Sequence, residues 1–194
     1  MYDAHVPVIS AAIYEDAETF KRAVTFVILS IRQPIENVPA MLADVDETRA
    51  ESIYLLGHKR AAYRYIELHG RELWARVRDL TDPEAVILEL LSVPGLGIVK
   101  AGFLAQLMGL DVACLDSRNV AREGRKPREY RTDGKGAECR AIRRKVSRYV
   151  AETGGRAREY WNAWCEDVAQ TRNNTAQTIS EIHLTIVPET FIPF

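Results

Sequence analysis

The stretch "SVPGLGIVKAGFLAQLMGLDVACLDSRN", Ser92–Asn119, sets a tight Pro94-Gly95-Leu96-Gly97 turn before an apolar, helix-like run and an aspartate. Just upstream, Asp82-Pro83-Glu84 combines a capping side chain, a proline suited to a first turn and an acid at the positive end of a helix dipole. A helix therefore starts there and carries Val86 to Leu91. Two short helices joined by so tight a turn must reverse direction. Such a Gly-x-Gly turn leaves backbone N–H groups pointing outward at the start of the second helix, with no side chain to keep a phosphate away. That is an anion site.

Helical spacing dominates the rest of the chain from Asp16 onward. Phe20, Val24, Phe26, Val27 and Ile31 give an apolar helix that ends before Pro34, and a short helix follows around Ile35 to Leu42. Asp46 and Thr48 are placed to cap a long helix through Ile53, Leu56, Ala61, Tyr65 and Leu68, closed near Gly70, with Leu73, Trp74 and Val77 on the next one. Lys126-Pro127, Asp133-Gly134 and Gly136 break an exposed basic loop over Arg125 to Gly136. Helices resume from Ala137 to Glu152 and, after Gly154-Gly155, through Tyr160, Trp161, Trp164 and Val168. The end, "ISEIHLTIVPETFIPF", is compatible with a helix turn, a strand or a docked tail. The expected class is mainly α.

At 194 residues, 47% of them apolar, the chain can bury a core as a single unit spanning 1–194. It has no uninterrupted apolar run of membrane-spanning length, and acids stand where a signal peptide needs a basic end, so no membrane partner and a cytoplasmic location are expected. Cys114, Cys139 and Cys165 lack the close pairs of a zinc or iron–sulfur site. Net charge is −1, but Ser117 to Arg148 holds twelve Lys and Arg against four Asp and Glu, a balance of +8 on an otherwise acidic chain. Positive charge gathered in one segment suits a directional contact with phosphates.

"LLSVPGLGIVKAGFLAQLMGLDVACLDSRN" resembles the helix-hairpin-helix (HhH-GPD) DNA glycosylase superfamily, whose pattern is L-P-G-h-G-x-K-x-A followed by an h-D-x-H-like stretch. Pro94, Gly95, Leu96 and Gly97 match the hairpin, Ala101 the small residue of the second helix, and Leu115-Asp116-Ser117 the aspartate stretch. The match is strong over roughly Pro83 to Gly124, and Leu56 to Ala61 resembles a further family segment more weakly. The resemblance implies a two-lobed helical fold, with the hairpin and catalytic-aspartate segment at 83–124 and the basic loop and C-terminal helices at 125–194. It implies DNA as partner, a monomer, and no cofactor beyond at most a monovalent cation at the hairpin. The family's lysine follows the second hairpin glycine by two residues, where this chain has Val99, with Lys100 next. One helical step is about 100°, so Lys100 is expected to point away from the family's lysine position, as a phosphate contact or surface charge.

Asp116 is the residue the resemblance assigns to catalysis, stabilising positive charge on the deoxyribose or orienting water as the base departs. Read from the residues alone, it is also a helix N-cap ahead of Ser117-Arg118-Asn119, and the two roles are compatible. The expected DNA contacts are Gly95, Leu96, Gly97, Val99 and Lys100 at the hairpin, with Arg118, Arg122, Arg125, Lys126 and Arg128 at the cleft mouth. Arg131 stands with them. Trp161, Trp164, Tyr63 and Tyr65 are candidates for stacking on an extruded base or for the core, and His58, His69 and His183 have no metal spacing. The implied activity is removal of a flipped-out base by a monofunctional DNA N-glycosylase. Two alternatives are a phage-type transferase that adds an amine or amino acid to an activated thymine in DNA, in the host cytoplasm, and a noncatalytic hairpin module.

Overall fold

The computed structural model describes residues 1–124, 129–171 and 186–187. Among them the chain is mainly helical with no strand: α1 (Tyr2–Glu15), α2 (Ala17–Leu29), α3 (Val38–Thr48), α4 (His58–Val77), α5 (Pro83–Leu90), α6 (Ile98–Leu107), α7 (Ser117–Arg122), α8 (Arg140–Thr153) and α9 (Ala157–Thr171). None of these helices is long and apolar enough to cross a membrane.

Two helices carry the core. Nearly every residue of α2 from Phe20 to Leu29 is buried, and α2 packs against α1, α3, α4 and α6. α6 is buried from Ala101 to Leu107 because it is covered by α1, α2 and α5 together. A helix covered on most sides needs no polar face, which explains the apolar run after the glycine turn. The expected starts at Asp82 and Asp116 are present: Asp82 accepts from the N–H groups of Glu84 and Ala85, and Asp116 from those of Arg118 and Asn119. Asp16 does the same for α2 through Thr19.

The middle of the chain differs from the sequence expectation. α1 precedes the first helix expected and tolerates Pro7 on its exposed side. Asp46 and Thr48 do not cap a helix; they lie in α3, where Asp46 pairs with Arg22 and Thr48 bonds back to the Asp44 carbonyl. Arg49 then leaves the helix at φ +57°, and α4 starts only after Gly57 at φ +55°. Ile53 and Leu56, which mimic helical spacing, stand in the intervening loop at 71% and 66% exposure. Gly70 closes nothing. α4 runs straight through it, and a Cβ there would meet Lys21 Cγ of α2 at 2.6 Å. The glycine therefore serves the close approach of α2 to α4 rather than a helix end.

Near the C-terminus, Asp133 and Gly134 form a turn with positive φ, and Gly154-Gly155 separates α8 from α9, as the breakers predict. Arg125, Lys126 and Arg128 lie outside the described residues, as do His183 and most of the tail, of which Ile186 and Val187 are buried.

Candidate active-site cleft

A cleft of about 730 Å³ opens between the segment after α2, one face of α6, the start of α7, and α9. Asp116 lies in it because the extended segment before it is pinned by side chains from three helices. Tyr149 of α8 donates from its hydroxyl to the Ala113 carbonyl at 2.6 Å and accepts from Leu115 N at 3.3 Å. Gln106 of α6 accepts from Cys114 N at 3.1 Å and donates to the Ala157 carbonyl at 2.8 Å. Asn119 of α7 donates to the Cys114 carbonyl at 2.7 Å, and Arg122 donates to the Asn119 amide oxygen at 2.7 Å. A chain without strand partners must satisfy its buried backbone groups some other way, and here side chains do it.

Half-buried Asp116 uses Oδ1 for both cap hydrogen bonds, at 3.1 Å from Arg118 N and 2.9 Å from Asn119 N. No hydrogen bond from a described residue reaches Oδ2. The cap thus fixes the carboxylate's direction and leaves one oxygen for chemistry.

Lys100 is half-buried and lines this cleft as well, a position open to the expected phosphate contact but not to a plain surface charge. Val99, Lys100, Phe103 and Gln106 form one stripe of α6 lining the cleft, and a stripe of that width accommodates a single-residue step. Lys100 Nζ donates to Ser30 Oγ at 2.9 Å and sits 5.4 Å from the centre of the Phe103 ring. Lys59, only 8% exposed, donates to the neighbouring Leu29 carbonyl at 2.9 Å. Burial, with the nearby Lys100 charge, lowers its pKa. Two lysines therefore meet the C-terminal end of α2, where the helix dipole favours cations.

Cys114 also lines the cleft, but burial and the Asp116 carboxylate push its thiol up to about 12, so it stays protonated and is no nucleophile. Trp161 and Trp164 form part of the wall with their rings 6.1 Å apart, while Tyr63 and Tyr65 are elsewhere, Tyr65 against His69. No group of described His, Cys, Asp or Glu residues is arranged to hold a metal ion.

The glycine turn borders this region. Gly95 has φ +78°, and His58 at the start of α4 packs over it, within 3.2 Å of where a Cβ would be. Leu96 is buried beneath the turn. Gly97 precedes α6 without any side-chain cap, and a Cβ on it would meet nothing within 4 Å. No side chain caps the first N–H groups of α6. Ile53, Tyr54 and Leu56 are exposed in the loop that leads to α4 and His58, and helical periodicity alone assigns Ile53 and Leu56 to a helix face.

The basic segment is less free than its count suggests. Arg122 pairs with Asp167 and donates to the Ala163 carbonyl, tying α7 to α9, and Arg148 pairs with Glu129 at 2.9 Å. Arg118 lines the cleft, and its buried Nη1 has no partner among the described residues. Arg131 is exposed. No protein-family model, no curated protein and no solved structure matches this chain.

Proposed function

We propose that this chain is a DNA enzyme of the two-lobed glycosylase type, holding a backbone phosphate at the Gly95–Gly97 turn and removing an extruded base beside Asp116 as a monofunctional N-glycosylase. One observation carries the reading: a capped carboxylate with a free oxygen, two tryptophans and Lys100 share one cleft of about 730 Å³ next to an uncapped helix N-terminus. A carboxylate so fixed stabilises an oxocarbenium-like sugar without reorganising.

Gly97→Ala tests the phosphate contact. The added methyl has open space and Gly97 has ordinary extended backbone, φ −92° and ψ 171°, so the fold is expected to persist. DNA affinity, read by fluorescence anisotropy, is expected to fall about tenfold for all sequences alike, because a methyl keeps the phosphate off the N–H groups. Unchanged affinity in the folded variant would remove the turn from the contact surface. Wild-type affinity should also fall steeply with salt.

Lys100 in the cleft favours a second reading, in which its amine forms an imine with the sugar after base loss. Its hydrogen bond to Ser30 Oγ suits instead a fixed cation beside the phosphate flanking the extruded nucleotide. No borohydride-trapped protein–DNA adduct is therefore expected. A trapped species that disappears in Lys100→Ala would replace hydrolysis with lyase chemistry.

A further inference from the structure

The five cations of α8 divide by their partners. Arg148 pairs with Glu129 and Glu152 and lies over the Tyr130 ring, and Lys145 donates to the Arg131 carbonyl. Arg140, Arg143 and Arg144 have no acidic partner among the described residues. Arg143 donates through Nε to the Ala137 carbonyl at 2.8 Å, and Glu138, in the preceding loop, accepts from Gly136 N instead. All three arginines are exposed. Spaced i, i+3 and i+4, they share one face of α8, turned away from the buried Ile142, Val146 and Tyr149, and α8 packs on α5. No residue of α8 lines the cleft.

Nothing in the helix itself favours this arrangement. Arg140 and Arg143 stand in the first turn, the positive end of the helix, where acids stabilise and cations do not, and α8 has no acid there. Like charges three and four residues apart also repel. Arginines kept in such a place are satisfied from outside, by a partner that brings negative charge. The partner's chemistry follows from what the face lacks. No large apolar side chain is exposed on α8, so it has none of the apolar anchors that hold a protein partner. A helix that lies on a membrane turns its apolar side to the lipid, and α8 buries that side in the core. Guanidinium groups with neither feature match a line of phosphates.

We infer that Arg140, Arg143 and Arg144 form a second contact with the DNA backbone, separate from the cleft and indifferent to sequence. This rests on the DNA reading above and extends its contact surface to a helix that the glycine turn and Asp116 do not involve. Each arginine that neutralises a phosphate releases counterions, so the contact shows in the salt dependence of binding as well as in affinity.

The test is the double variant Arg140→Gln/Arg144→Gln, which leaves the Arg143 bond to Ala137 in place. Affinity of the full chain for long duplexes of unrelated sequence is measured by anisotropy across a range of salt concentrations. Affinity is expected to fall about tenfold for all of them alike, and the slope of log affinity against log salt to shrink by about 2, one phosphate for each arginine. Thermal melts are expected to show equal or higher stability, because a repulsion and a misplaced charge are removed. Arg140→Lys/Arg144→Lys keeps the charge and should keep the wild-type slope. Arg71→Gln/Arg76→Gln, which removes the same charge from α4, should change the slope little. A folded Arg140→Gln/Arg144→Gln protein with wild-type affinity and slope overturns the inference and leaves DNA binding intact. So does an equal loss from the α4 pair, which would reduce the effect to net charge, and so does a marked loss of stability, which would assign the arginines to the fold. Wild-type binding to phosphatidylserine vesicles that the glutamine pair loses, with the DNA slope unchanged, overturns it in favour of a membrane surface. Failure of the wild type to bind any duplex overturns the DNA reading and this inference together.

Discussion

Asp116→Asn is expected to leave a folded protein that binds DNA within a few fold of wild type and to lower turnover by about 10² to 10³. The asparagine oxygen can accept from Arg118 N and Asn119 N as Oδ1 does, so the start of α7 and the direction of residue 116 persist. What disappears is the negative charge on the oxygen that no described residue engages. A group that acts by preorganised charge fails when the charge goes, even with its geometry intact. Asp116→Ala separates the roles, since it removes the cap as well and should cost about 1 kcal/mol of stability. Near-wild-type turnover in a folded Asp116→Asn protein would leave Asp116 as a helix cap and nothing more.

Gly102→Ala should have the largest effect on stability. Glycine inside a helix is normally about 1 kcal/mol worse than alanine, so its presence in α6 calls for a reason. A Cβ at this position would lie 2.5 Å from the Tyr149 hydroxyl oxygen and 2.6 Å from its Cε1. Tyr149 is fully buried and cannot swing into solvent. Its displacement would break the bonds to the Ala113 carbonyl and Leu115 N, the two that hold the approach to Asp116. Overpacking of this kind costs roughly 1–3 kcal/mol, and each buried backbone group left unpaired about as much again. The melting temperature is expected to fall by about 5–15 °C. Tyr149→Phe offers a comparison without the clash: it removes the hydroxyl alone and should lower both stability and turnover. A Gly102→Ala protein as stable as wild type would show that Tyr149 does not hold the segment rigidly.

Features encoded by adjacent residues were legible in the sequence. Asp82 and Asp116 announce helices because a cap acts within three residues of itself, and Pro94 to Gly97 announces a turn because glycine at positive φ is a local requirement. The site beyond Asp116 was less legible because its parts meet only in three dimensions. Nothing near Tyr149 in the chain says that its hydroxyl reaches a segment more than thirty residues earlier, and Ser30 joins Lys100 across seventy residues. The charge count over Ser117 to Arg148 was sound as arithmetic, yet Asp167, which pairs with Arg122, lies outside that window. Lys100 shows a different limit. A helix face lining a cleft is broad, so a one-residue offset from a motif does not decide which way a long side chain turns. Gly70 shows a third, since glycine marks close helix contact as readily as a helix end.

The most direct measurement is nucleoside mass spectrometry on DNA containing damaged, methylated and phage-type modified pyrimidines, after incubation with the wild type and with Asp116→Asn. The account predicts release of a free base by the wild type and none by the variant, with both proteins bound to the DNA. A gain in nucleoside mass in place of base release would contradict hydrolysis and identify the chain as a group-transfer enzyme using the same cleft. Unchanged nucleosides across the panel, with DNA binding retained, would contradict the enzymatic claim itself and leave a hairpin that only binds.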